Sequence, residues 1–259
     1  SLLRRAGWQP GQRLDGAALG LALVYQPYAR LSDGAVQGAE VLLRWNHPRL
    51  GPLLPLEFIA LLESDGGIVP VGDWVLRTAC ARLGQWRDEG LDLRLAVNLA
   101  PSQLRPGLTE DLQRLLSAHG LPISALELEL TEGAALVDEG DAQRELQRLS
   151  EAGIGLAIDD FGTAFANYDR LSRVRFDKLK LDRSLCRRAI ADERAQRLLH
   201  GLVNTAHELQ MSVTAEGVES DSDWRLLAAL GCDLAQGYRL SAPLDEPAFT
   251  DWWRARCAA

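Results

Sequence analysis

The stretch LALVYQPYARLSDGAVQGAEVLLRW, residues 21–45, decides the fold. Two apolar, strand-like runs, Leu21–Arg30 and Ala39–Trp45, flank the turn-forming segment Ser32-Asp33-Gly34-Ala35-Val36-Gln37-Gly38. A parallel pair needs a crossover of roughly a dozen residues or more, so these two strands read as an antiparallel hairpin. A turn centred near Asp33-Gly34 places Gln26 roughly opposite Glu40.

Downstream the pattern changes. Further short apolar runs follow at Leu93–Leu99, Leu126–Thr131, Gly155–Asp160, Phe176–Asp182, Ser212–Glu216 and Leu234–Leu240. Most are separated by amphipathic stretches of helical period: Val71–Trp86, Gln103–His119, Asp141–Ala152, Ser184–Leu209 and Asp221–Leu230. Several of these close on glycine, as at His119-Gly120, Ala152-Gly153 and Leu230-Gly231, where a left-handed cap is easiest. Eight strands alternating with helices in 259 residues predict an α/β fold, a modified (β/α)8 TIM-type barrel with one antiparallel strand in an N-terminal hairpin. An open doubly wound sheet is the structural alternative.

The charge balance, 28 basic against 36 acidic residues for a net −8, argues against a nucleic-acid polymer as partner. An anionic substrate would need something cationic between it and the protein. No run approaches the roughly 18–20 apolar residues of a membrane span, and the first residues do not read as the charged-then-apolar pattern of a signal peptide. Cys80, Cys186, Cys232 and Cys257 form no CxxC pair, which fits a reducing, cytoplasmic setting. With Ser1 first and Met211 its only methionine, the chain is expected to be a piece of a longer polypeptide or a processed one.

Barrel chemistry is read from the C-terminal ends of strands. Asn98, Glu129, Asp159, Asp160, Lys180 and Glu216 lie at or near such ends, with Gln236 in the last strand and Glu40 early in the second. The run Leu126-Glu127-Leu128-Glu129-Leu130 alternates strictly, so its leucines should pack on helices while both glutamates point into the barrel. Any one of these acids alone reads as a solvated strand end or a salt-bridged group. Together, Glu40, Asn98, Glu129, Asp159, Asp160 and Glu216 offer hard oxygen donors with no histidine or cysteine among them, which suits Mg2+ or Mn2+. Adjacent Asp159-Asp160 fits a two-ion centre of the kind that generates a hydroxide nucleophile and clamps an in-line displacement at phosphorus. Lys180 would orient the water or neutralise developing charge, or serve as a salt bridge inside the barrel.

Other motifs carry less. Asp160-Phe161-Gly162 has no catalytic or glycine-rich kinase loop beside it, and Gly153-Ile154-Gly155 precedes a strand and lacks a third glycine. His200 and His207 share a helix with no other ligand type nearby.

Gln26-Pro27, Glu40-Val41-Leu42-Leu43-Arg44-Trp45, His47-Pro48, Asn98, Glu129-Leu130-Thr131-Glu132, Asp159-Asp160-Phe161-Gly162-Thr163, Lys180-Leu181-Asp182, Glu216-Gly217-Val218-Glu219 and Gln236-Gly237-Tyr238 occur in this order. From about residue 20 to 245 the chain closely resembles the EAL domain of bacterial cyclic di-GMP phosphodiesterases. The resemblance implies hydrolysis of cyclic di-GMP to linear pGpG, with a non-catalytic cyclic di-GMP receptor as the alternative. It implies that Glu40, Asn98, Glu129 and Asp159 hold one metal, and that Asp159 bridges to a second held by Asp160 and Glu216. Lys180 would sit beside the nucleophilic water, and Glu132 would steady the loop after Asp160. Gln26, Leu43, Arg44, Asp182 and Gln236 would be substrate-contacting, with Arg44 reaching a phosphate. Mg2+ or Mn2+ would support the reaction and Ca2+ inhibit it.

The resemblance further implies a homodimer through the helix after Asp160 and an upstream GGDEF or sensory domain. Residues 1–18 would then be the tail of an upstream region and 19–259 the phosphodiesterase domain. Two departures stand out. Val41 replaces the signature alanine, and the loop reads Thr163-Ala164-Phe165-Ala166-Asn167-Tyr168 where the family usually has glycine at 164, serine near 166 and leucine at 168. The next segment, Asp169–Arg175, is more charged than usual.

Overall fold

In a computed structural model, which describes residues 1–135, 140–162 and 174–257, strands β1 (Leu21–Arg30) and β2 (Val36–His47) form the expected hairpin. The turn takes Gly34 at φ 75°, a left-handed conformation that glycine adopts without steric cost. The register sets Gln26 directly opposite Glu40.

Beyond the hairpin lie β4 (Arg94–Asn98), β5 (Leu126–Thr131), β6 (Gly155–Phe161), β7 (Lys178–Leu181), β8 (Ser212–Ala215) and β9 (Leu234–Gln236). From β2 through β4 to β9, each strand pairs in parallel with the next. β1 closes the ring by pairing antiparallel to both β2 and β9, so it is the reversed strand of an eight-stranded barrel. The open-sheet alternative is thereby excluded. A short extra strand, β3 (Gly51–Leu53), pairs with β2 outside the ring.

β2 is longer than its apolar run. It pairs with β4 only over Gly38–Val41, and the remainder runs past the barrel mouth to meet β3. Glu40 is therefore at the rim although it lies early in its strand.

The helices are α1 (Leu2–Ala6), α2 (Pro55–Ser64), α3 (Ile68–Asp88), α4 (Leu108–Ala118), α5 (Glu132–Ala135), α6 (Asp141–Glu151), α7 (Arg183–Ala191), α8 (Glu193–Glu208), α9 (Asp221–Ala229) and α10 (Glu246–Cys257). The stretch 184–209, read as one helix, is two. Asp192 is extended at φ −144°, ψ 124°, and its carboxylate accepts from the Ala195 amide at 2.9 Å to start α8. Leu126, Leu128 and Leu130 are fully buried on the outer face of β5 among the helices, each contributing about 1.5–3 kcal/mol of apolar burial. Leu3 and Leu14 are buried in the same apolar cluster, and His47 Nε2 lies 3.2 Å from the Leu2 carbonyl. The altered loop at 163–168 and residues 169–173 of the charged segment lie outside the described residues.

Candidate active site

At the barrel mouth Lys180, from β7, stands among four carboxylates. Its Nζ is 2.8 Å from Glu129, 2.9 Å from Glu216, 3.0 Å from Asp159 and 3.4 Å from Glu40. These acids come from β5, the end of β8, β6 and β2, so the convergence is a product of barrel closure. Lys180, Glu129, Glu40 and Asp159 are all buried.

Neighbouring residues of a regular strand point to opposite faces. Asp159 and Asp160 break that rule. The register of β6 against β7 slips between Ile158 and Phe161, and Asp160 takes φ 55°. A bulge of this kind re-aims a side chain, and Asp is among the residues that tolerate the left-handed region. Carboxylate oxygens of Asp159, Asp160 and Glu216 then lie within 4.8 Å of one another, as do those of Glu40, Glu129 and Asp159. Asp159 belongs to both groups.

A second ring of contacts orients Glu40. Asn98 Nδ2 donates to Glu40 Oε1 at 2.7 Å, and Gln236 Nε2 donates to Glu40 Oε2 at 2.7 Å and to Gln26 Oε1 at 3.2 Å. The expected substrate residues Gln26 and Gln236 are thus also hydrogen-bonded into the acid cluster.

The charges are unevenly held. Burial pushes Glu129 well up, reinforced by Glu40, Asp159 and Glu127 against the pull of Lys180. Burial likewise lifts Glu216 from 4.5 to about 7, with Lys180 opposing and Asp159 and Glu40 adding to the rise. Asp160 is raised by burial and by Asp159. At Glu40 burial acts upward but is outweighed by Lys180 and by the bonds from Gln236 and Asn98, so it stays below its ordinary value. Lys180 is held well above its own, the four carboxylates overcoming the effect of burial. One ammonium does not balance this much buried negative charge, and an all-oxygen donor set short of positive charge is what hard divalent cations fit.

Two hollows adjoin the cluster. A cleft of about 330 Å³ is lined by Gln26, Glu40, Asp159, Asp160, Glu216 and Gln236, together with Arg183, Glu219 and Tyr238. A larger, mainly apolar groove of about 600 Å³ runs from Leu43 and Arg44 past α2 to Asn98, Glu129 and Asp160. Arg44 donates to the Leu43 carbonyl at 2.9 Å and so is not in the carboxylate cluster. Asp182 caps α7, accepting from the Ser184 amide at 2.8 Å. Glu132 is buried at the start of α5, and neither of its oxygens has a hydrogen-bond partner among the described residues.

Sequence reasoning did not single out Arg183, Glu219 or Tyr238 as site residues. Tyr238 is 68% exposed at the cleft, and Arg183 bonds Glu219 at 2.8 Å. Their signal was position alone: each follows within three residues of a cluster or rim residue.

Fold and rim together define a (β/α)8-type barrel with an acidic mouth able to hold metal. The EAL domain model matches residues 13–243, and the chain belongs to that family. It is 38% identical over 240 residues to the cyclic di-GMP phosphodiesterase PA2567 of Pseudomonas aeruginosa, covering 92% of this chain and 41% of that protein. It is 40% identical over 237 residues to the cyclic di-GMP phosphodiesterase NbdA of the same organism, covering 91% of this chain and 30% of that one. The chain therefore spans less than half the length of either relative. Among solved structures, the PaMucR phosphodiesterase in complex with c-di-GMP superposes with a TM-score of 0.82 at 36% identity, over 89% of this chain and 94% of that one.

Proposed function

We propose that this chain hydrolyses cyclic di-GMP to linear pGpG. The observation that carries the reading is the pair of oxygen-donor groups sharing Asp159 at the mouth of an EAL barrel. Relatives named as cyclic di-GMP phosphodiesterases support the substrate.

Glu40, Asn98, Glu129 and Asp159 would hold one Mg2+ or Mn2+, and Asp159, Asp160 and Glu216 the other. When bound, such ions lower the pKa of water and stabilise charge on the attacking and leaving oxygens of a displacement at phosphorus. The chain's own side chains do the rest. Lys180 keeps four carboxylates converged and sets a positive charge beside the reacting phosphate. Gln236 and Asn98 fix both oxygens of Glu40. Arg44 and Leu43 supply a cation and an apolar wall in the groove, Gln26 and Gln236 amide groups in the cleft, and Asp182 a carboxylate beside Asp160. Glu132, buried at the start of α5, is kept in this reading as a positioning residue. Water adds its oxygen to phosphorus, the bond to the 3′-oxygen breaks, and that oxygen takes up a proton, leaving pGpG.

Ca2+ inhibits on this reading, because a larger ion with looser coordination spoils the close geometry. We also place in this proposal a cytoplasmic location, a homodimer through the segment after Asp160, an upstream GGDEF or sensory domain, and a boundary near residue 18. The test is incubation of the chain with cyclic di-GMP and Mg2+, Mn2+ or Ca2+, followed by chromatography for pGpG. Binding without product in Mg2+ and Mn2+ would replace the enzyme by a receptor.

A further inference from the structure

One layer beneath the Glu129–Lys180 contact lies a second ion pair that the reaction does not touch. Lys178 Nζ is 2.6 Å from Glu127 Oε1, with Glu127 fully buried and Lys178 5% exposed. The two pairs are built alike. Glu127 and Glu129 stand two apart on β5, and Lys178 and Lys180 two apart on β7, so each strand presents both groups to the barrel interior.

β5 and β7 are not neighbours, since β6 runs between them. In the register Glu127 faces Gly155, Glu129 faces Ala157, and Ala157 faces Lys178. Glycine and alanine leave room above β6, and the long side chains of the flanking strands meet across that gap. The lower pair is enclosed by Tyr28 of β1, whose ring centroid lies 4.3 Å from Lys178 Nζ, and by Arg94 of β4 at 3.6 Å from Glu127 Oε2. Glu127 and Lys178 are both buried, and Arg94 is the partly exposed member of the group.

A buried ion pair contributes little net stability and is often matched by apolar residues of similar volume. Its cost is justified when it sets geometry. We propose that Glu127 and Lys178 are positioning residues for the phosphodiesterase reaction. They tie β5 to β7 across β6 and so fix the height at which Glu129 and Lys180 meet at the rim. The proposal rests on the phosphodiesterase reading.

The test is the double variant Glu127→Met/Lys178→Met, with Lys178→Arg, which keeps the charge but lengthens the arm, as a second. The double variant is expected to melt at or above the wild-type temperature. Its kcat should fall about tenfold or more while KM stays within about twofold, because only alignment in the transition state is lost. Its Mn2+ dissociation constant, read by calorimetry without substrate, should rise severalfold, and Lys178→Arg should show the same changes in smaller measure. Wild-type kcat and Mn2+ affinity in the double variant, or in Lys178→Arg should the double not fold, would overturn the proposal. If the wild-type chain itself gave no pGpG, the phosphodiesterase reading would fail, and Mn2+ affinity would still decide what the pair does.

Discussion

Asp159 and Asp160 are consecutive in the chain, yet both bring carboxylate oxygens into one group with Glu216, because Asp160 takes φ 55° at a slip in the β6 register. Asp160→Asn removes the charge but keeps a side chain that tolerates this conformation, whereas Asp160→Ala adds backbone strain of about 1 kcal/mol. Both variants should lose more turnover than the roughly 10–100-fold that follows removal of an outer partner of a metal ligand. Thermal melts should place Ala below Asn. Equal midpoints would show that the left-handed conformation carries no strain.

Lys180 is the only cation in contact with Glu40, Glu129, Asp159 and Glu216 among the described residues. Lys180→Met leaves their charge uncompensated and should destabilise the metal-free chain by about 3–5 kcal/mol. Urea denaturation in chelator measures this. Mn2+ should return part of the lost stability by supplying charge, and turnover should stay lost. A variant as stable as wild type in chelator would refute the charge imbalance at the rim.

The barrel was legible because its signals are local. A seven-residue connection forbids a parallel crossover, and strict alternation in 126–130 assigns leucine outward and glutamate inward. Apart from Glu40, which lies early in its strand, the converging acids were legible as strand ends. What escaped depends on register and on side chains meeting across a strand. Nothing in Asp159-Asp160 announces the bulge that brings the Asp160 carboxylate beside those of Asp159 and Glu216, and period-two reasoning predicts the reverse. Glu127 and Lys178 were each visible at the same spacing as Glu129 and Lys180, but pairing them requires knowing that Gly155 and Ala157 lie between. The helix at 55–64 was passed over although Pro55 stands at its first turn, where proline is well placed.

Cys80, Cys186 and Cys232 are buried free thiols. Burial pushes Cys80 and Cys186 up to about 12, and Cys232 higher still. The thiolate is the reactive form, so near pH 8 these groups should resist alkylation in the folded chain and react fully in denaturant. Peptide mass spectrometry after a timed pulse of iodoacetamide reads each site. Labelling of any of the three in the folded chain at the rate of an open thiol would contradict their packing.

Glu216 links the stability of the metal-free chain to pH. Its folded value is about 7 against an ordinary 4.5, raised by burial and by Asp159 and Glu40 despite Lys180. The folded state therefore holds this proton more tightly than the unfolded state does. Below the unfolded value both states are protonated and the group adds no penalty. As pH rises from there through about 7, the unfolded chain ionises freely while the folded chain must ionise a buried carboxyl, and stability falls. Glu129, also pushed up by burial, acts in the same direction. In chelator, the denaturation midpoint should therefore drop between about pH 5 and about pH 8, by on the order of 2–3 kcal/mol from Glu216 alone. With saturating Mg2+ the slope should flatten or reverse, because cation binding favours the ionised rim and becomes stronger as protons leave. A metal-free stability that rises across this range would mean that Glu216 is ionised in the folded chain and that Lys180 alone suffices for the cluster.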